Sequence, residues 1–174
     1  MAALLLSAAC GDSTSAGVDT PDAAPDSRAW RDVLHEVRED FPNVPQMTTR
    51  RLAGLLDSEP ASVLLLDARS EAEYEVGQLR GAVRTETLAA ALDALSGFDR
   101  RSTVVVYCSV GHRSSDLAER LLARGVANVF NLEGSIFRWA NEGRPVYRGA
   151  RRVHEVHPYD EEWGRLLDRR YWPD

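Results

Sequence analysis

Apolar positions along the chain fall into short continuous runs separated by helical stripes. The runs are Val63 to Leu66, Val104 to Tyr107 and Val129 to Leu132. Each is rich in β-branched, leucine or aromatic residues and lacks polar alternation, the pattern of strands covered on both faces. The stripes lie between and around them. Trp30, Val33, Leu34, Val37 and Phe41 share one face of a helix capped by Asp26 or Ser27 and interrupted by Pro42. Thr49 caps a second helix carrying Leu52, Leu55 and Leu56; Glu71 to Val76 predicts a short one, and Leu88 to Leu95 an alanine-rich one closed by Gly97. Ser114 or Ser115 caps a helix with Leu117, Leu121 and Leu122 that Gly125 stops. Gly134 then turns the chain into a helix with Ile136, Phe137 and Trp139, ended by Gly143 and Pro145. Strands alternating with helices at this spacing predict an α/β fold of three layers, a central mostly parallel sheet flanked by helices on both faces. No internal repeat is present.

Composition divides the chain further. Residues 1–10 are apolar and small, and 11–27 hold Asp, Ser, Thr, Pro, Ala and Gly with a single valine, too little apolar surface to fold, so they read as a linker. Residues 28–48 supply the N-terminal helix packed on a domain spanning 49–150, and 151–174 form an extension with its own helix. In that extension Trp163, Leu166 and Leu167 share a face, with Tyr159, Tyr171 and Trp172 adding aromatic bulk. His154, His157, Asp160 and Glu161 follow no standard metal spacing, so a packed terminal helix is expected there and no metal or cofactor. The net charge of -6 argues against a nucleic-acid partner. Every Lys or Arg position is arginine, which excludes mechanisms that need a catalytic lysine.

The chemistry concentrates between the central strand and the helix after it, in Cys108-Ser109-Val110-Gly111-His112-Arg113-Ser114. A cysteine at the carboxyl end of a buried strand, facing the start of a helix, sits where open α/β sheets bind ligands. Loop N–H groups around its sulfur, the helix dipole and Arg113 favour thiolate over thiol. Ser109 and Val110 are expected to act through their backbone N–H, Gly111 through its conformation and His112 as a lining residue. A disulfide between Cys10 and Cys108, the two cysteines, is not expected, because it would bury the nucleophile.

An ordered set of motifs from about Thr49 to Val146 resembles the rhodanese (thiosulfate sulfurtransferase-like) family, of the single-domain type. The set comprises Asp67-Ala68-Arg69, Glu73-Tyr74, Gly77-Gln78-Leu79-Arg80-Gly81-Ala82, the cysteine loop, and Glu133-Gly134 with Trp139. Gln78 stands where the family usually has histidine. The resemblance implies a sulfurtransferase in which Cys108 takes sulfane sulfur from thiosulfate or a related small-molecule donor, becomes a persulfide, and passes the sulfur to a thiol or cyanide. Asp67 and Arg69 join the loop as candidate substrate-binding residues, with a helix cap as the other reading of Asp67. Arg113 either binds donor oxygens or pairs with Glu71 or Glu73 to brace the loop. Two rivals are a phosphatase and a non-catalytic or persulfide-carrying module that acts with a protein partner. Phosphatases of this fold carry five residues between cysteine and arginine; here four intervene, a tighter cradle suited to sulfur. Separately, Met1 to Cys10 is similar to the end of a bacterial lipoprotein signal. That similarity implies lipidation at Cys10 and a tether at the periplasmic or cell-envelope face of a membrane; an ordinary apolar tail would leave the protein cytoplasmic.

Overall fold

The computed structural model describes residues 27–174. Cys10, the apolar start and most of the linker lie outside the described residues. No helix among those described is long and apolar enough to cross a membrane.

The buried runs become the sheet. Five strands, β1 (Gln46–Met47), β2 (Val63–Asp67), β3 (Val83–Arg84), β4 (Thr103–Tyr107) and β5 (Val129–Leu132), pair in the order β1-β5-β4-β2-β3. Every pairing is parallel, and β4 lies in the middle with β2 and β5 on its flanks. The helices are α1 (Ser27–Asp40), α2 (Thr49–Ser58), α3 (Glu71–Val76), α4 (Leu88–Leu95), α5 (His112–Ala123), α6 (Ser135–Asn141) and α7 (Glu161–Gly164). An antiparallel hairpin, β6 (Val146–Arg148) and β7 (Arg151–Val153), follows α6.

Side chains of a strand point alternately to the two faces, so each buried strand feeds two cores. Val63, Leu65, Val105 and Tyr107 join Leu52 of α2 and Ile136 and Phe137 of α6 on one face. Leu64, Leu66, Val104, Val106 and Cys108 meet Ala91 of α4 and Leu117, Ala118 and Leu121 of α5 on the other. The three layers and the parallel sheet are those the hydrophobic pattern implies.

The extension after residue 150 belongs to the first of these cores. Val153, Val156, Leu166, Leu167 and Tyr171 are all buried within it, and Trp30 and Val33 of α1 pack against the same cluster. Asn141, at the end of α6, clamps the tail twice: its Nδ2 donates to the Leu166 carbonyl (2.7 Å) and its Oδ1 accepts from the Asp168 N–H (2.9 Å). Gln78 and Tyr147 exchange N–H···O bonds of 2.8 Å in both directions, joining the glycine-bracketed segment before β3 to the hairpin.

Two helix starts differ from the reading above. Thr48, not Thr49, caps α2, accepting from the Arg51 N–H, while the Thr49 hydroxyl donates to Glu142 at 2.6 Å. Helix α5 begins at His112, ahead of Ser114 and Ser115. Gly111 is its N-cap at φ 125°, a conformation open to glycine that lets the helix start tight against the sulfur.

Candidate active site

The site is built on the last residues of β4. Cys108 is 1% exposed and anchored from behind: its N–H donates to Ser135 Oγ (3.0 Å) and its carbonyl accepts from the Ile136 N–H (3.2 Å). The Ser109 carbonyl accepts from the Phe137 N–H (3.1 Å), so the start of α6 fixes the first two residues of the loop. The chain then folds back over the sulfur. The Gly111 N–H donates to Cys108 Sγ at 3.2 Å, and Ser114 Oγ lies 3.4 Å from the same atom. Ser114 also donates to Asn131 Oδ1 at 2.6 Å, and Asn131 Nδ2 to Gln46 Oε1 at 2.7 Å, so its hydroxyl is held by a buried polar chain from β5 to β1. A side chain at position 111 would meet Asn131 Nδ2 at 3.2 Å on a backbone already at positive φ, which leaves glycine as the residue that fits. The Gly111 N–H aimed at sulfur, with the first amides of α5 lacking intrahelical acceptors, favours negative charge at that position.

Arg113 braces this loop. Its Nη1 and Nη2 donate to Glu73 Oε2 and Oε1 at 2.8 and 2.7 Å, and Nη2 also reaches Ser109 Oγ at 3.0 Å. Ser109 in turn donates to Glu73 Oε1 at 2.9 Å. Of the two acids considered for Arg113, the partner is thus Glu73. Burial alone would raise the Glu73 carboxyl, but hydrogen bonds and charge from Arg113, with bonds from Ser70, outweigh it and hold the group at about 2. Burial likewise works against the Arg113 cation, and Glu73 together with the Cys108 charge more than reverses it, raising its pKa. The ring of Tyr159 covers the guanidinium, 4.7 Å from ring centre to Cζ.

Asp67 and Arg69 require a correction. Both are fully buried and paired with each other, Arg69 Nε and Nη2 donating to the two Asp67 oxygens at 2.9 and 2.6 Å. Arg69 also donates to the Gly77 carbonyl (2.7 Å), and its guanidinium lies 5.6 Å from the Tyr107 ring centre. Neither residue lines the cavity at Cys108. Asp67 is not a helix cap either; Ser70 caps α3 in a reciprocal box with Glu73. The two lie beneath the loop because a strand-ending acid with an arginine two residues on neutralises itself at low cost in chain entropy, while solvent offers a buried charge nothing. His112 is half-exposed, its Nε2 3.2 Å from Asp40 Oδ2 and its ring edge-on to Phe41.

Cys108 opens to a cavity of about 260 Å3, walled by Val110 and Arg113 from the loop side and by Glu36, Tyr159 and Trp163 from outside it. These last three were missed by sequence reasoning. Glu36 sits on the polar side of α1, and Tyr159 and Trp163 read as packing aromatics; nothing local marks any of them as facing a site. One cue existed, the aromatic density of the tail, which exceeds what a short terminal helix needs.

A parallel α/β sheet carries a cysteine loop at the carboxyl edge of its central strand, closed by an arginine–glutamate brace. The Rhodanese-like domain model matches residues 48–142, more than half of the chain, and the chain belongs to that family. It is 30% identical over 110 residues to the tRNA uridine(34) hydroxylase of Yersinia enterocolitica, a match covering 60% of this chain and 31% of that one. The chain thus spans about a third of the length of the curated relatives it matches. Among solved structures, the rhodanese-like domain of Alr3790 from Anabaena superposes with a TM-score of 0.52 at 26% identity, covering 59% of this chain and 78% of that one. Thiosulfate sulfurtransferase from Pseudomonas aeruginosa gives 0.58 at 24%, over 80% of this chain and 27% of that one, and shares the fold.

Proposed function

We propose that the protein is a sulfurtransferase working through a persulfide on Cys108. The observation that supports this reading most directly is the position of Sγ, at the floor of a loop whose Gly111 N–H points at it and whose mouth is an open cavity. The Cys108 thiolate attacks the outer sulfur of thiosulfate; a new S–S bond forms, the old one breaks, and its electron pair leaves with sulfite. The loop then holds the extra negative sulfur without rearranging. A thiol or cyanide attacks that outer sulfur and returns Cys108 as thiolate. The brace supports the assignment too: with Arg113 tied to Glu73 and Ser109, the loop keeps its shape between half-reactions.

Four residues separate Cys108 from Arg113, which keeps the cradle small and favours sulfur over phosphate as its occupant. A net charge of -6 favours a small-molecule donor over a nucleic acid. The test is direct. Incubating the protein with thiosulfate should add one sulfur mass to the peptide containing Cys108 and release sulfite, and cyanide should then remove that sulfur as thiocyanate. Cys108→Ser should abolish both steps. Full sulfite release by that variant, or an unmodified Cys108 after excess donor, would exclude the mechanism.

A further inference from the structure

The geometry points to an organic persulfide bearing an ammonium group as the preferred sulfur donor, selected by a wall made of Glu36, Tyr159 and Trp163. The inference deepens the sulfurtransferase reading and rests on it. The three wall residues come from α1 and the C-terminal extension and lie outside residues 48–142, the part matched as a rhodanese-like domain.

The charge around the cavity decides against small anions. Arg113 is the arginine among the lining residues, and its charge is met by Glu73 through two hydrogen bonds. His112, the other basic group in the lining, faces Asp40. Glu36 adds a carboxylate with no ion pair among the described residues, so the mouth carries a net negative charge. The cavity that continues outward past Glu36 and Trp163, about 610 Å3, holds Asp32 and Glu162 with Arg28 and Arg165 and adds no net positive charge. A dianion such as thiosulfate approaches this mouth uphill. An ammonium approaches Glu36 downhill and meets the aromatic side chain of Trp163 lining the same cavity, while Tyr159, whose ring already covers Arg113, closes the wall beside it. A carboxylate and an aromatic ring are the two kinds of surface that attract a desolvated cation.

The transfer balances without any further reactant. Cys108–S⁻ attacks the outer sulfur of R–S–SH; its bond to Sγ forms, the donor's S–S bond breaks, and R–S⁻ departs with that electron pair. The proton stays on the transferred sulfur; Sγ is oxidised by one level as the donor's inner sulfur is reduced by one, so the exchange needs no outside oxidant or reductant.

Two donors of nearly equal size separate charge from shape: cysteamine persulfide, which carries an ammonium, and 3-mercaptopropionate persulfide, which carries a carboxylate. Single-turnover loading of Cys108 on the full chain, followed by mass, should be about tenfold faster per unit concentration for the ammonium donor, the ratio one exposed ion pair and one cation–π contact supply together. Glu36→Gln, on the exposed side of α1, should shrink the ratio to about threefold by removing the ion pair, and Trp163→Leu should shrink it independently by removing the aromatic ring. Thiosulfate should load more slowly than either persulfide and gain on both in Glu36→Gln. Equal loading of the two persulfides, faster loading of the carboxylate donor, or a ratio unmoved by Glu36→Gln overturns this inference and leaves the sulfurtransferase reading standing. No loading of Cys108 by any of the three donors overturns both.

Discussion

Glu73 carries more of the site than any residue except Cys108. One carboxylate accepts from Arg113, Ser109 and Ser70 while being almost fully buried, and its carboxyl stands at about 2 against an ordinary 4.5. A carboxyl depressed in the folded state stabilises that state fully above its unfolded value and loses the contribution as pH falls through the folded one. Stability should therefore drop between about pH 4.5 and pH 2, by on the order of 2 kcal/mol once the solvent reaching Arg113 is allowed for. Urea titrations across that range should show the slope, and Glu73→Gln, less stable at neutral pH, should flatten it. At this scale the sequence was half legible. Cys108, Gly111 and Arg113 announce themselves because a nucleophile, a positive-φ turn and a cation crowd six positions. The partner of Arg113 was narrowed only to two acids, since Glu71 and Glu73 flank one helix turn and which of them faces inward depends on the cap at Ser70. Asp67 and Arg69 were misassigned to the substrate because a buried ion pair and a binding pair look alike until depth is known.

The elements repeat this division. Long apolar runs made β2, β4 and β5 readable, for a strand buried on both faces leaves no other trace. The two-residue strands β1 and β3 exist only through their neighbours, Gln46 and Met47 lying in register with Asn131 and Leu132, and no periodicity fits in two residues. The start of α5 moved toward the sulfur because Gly111 can hold a φ that the serines cannot hold cheaply. Helix α3 shows an element serving a site. Its capping box uses the same Glu73 carboxylate that takes Arg113, so Ser70→Ala removes a cap and one support of the brace together. The expected cost is about 1 kcal/mol of stability. Alkylation of Cys108 by iodoacetamide should also slow or shift in its pH profile, because a looser Arg113 changes the field at the sulfur; a cap with no link to the site would leave that profile in place.

Across the whole molecule, the extension that composition set apart from residues 49–150 is joined to them through a common core. The backbone at Gly77 comes so close to the Glu155 carbonyl that a Cβ would overlap it, and Asn141 holds the tail at both Leu166 and Asp168. Leu166 itself is 1% exposed, among side chains from both the sheet and α6. Leu166→Ala should then cost about 2–4 kcal/mol, the usual penalty for emptying a leucine site that cannot collapse. The form of the loss matters more than its size. If the tail and the sheet share one core, thermal unfolding of the variant remains a single transition shifted down, and tail fluorescence from Trp163 and Trp172 changes together with far-ultraviolet ellipticity. A tail that was merely docked would instead melt first, leaving the midpoint of the sheet unmoved and residues 151–174 open to protease. Because Tyr159 and Trp163 belong to that tail, the coupled outcome carries a functional consequence: partial loosening at Leu166 should reduce discrimination between donors before it reduces the reactivity of Cys108.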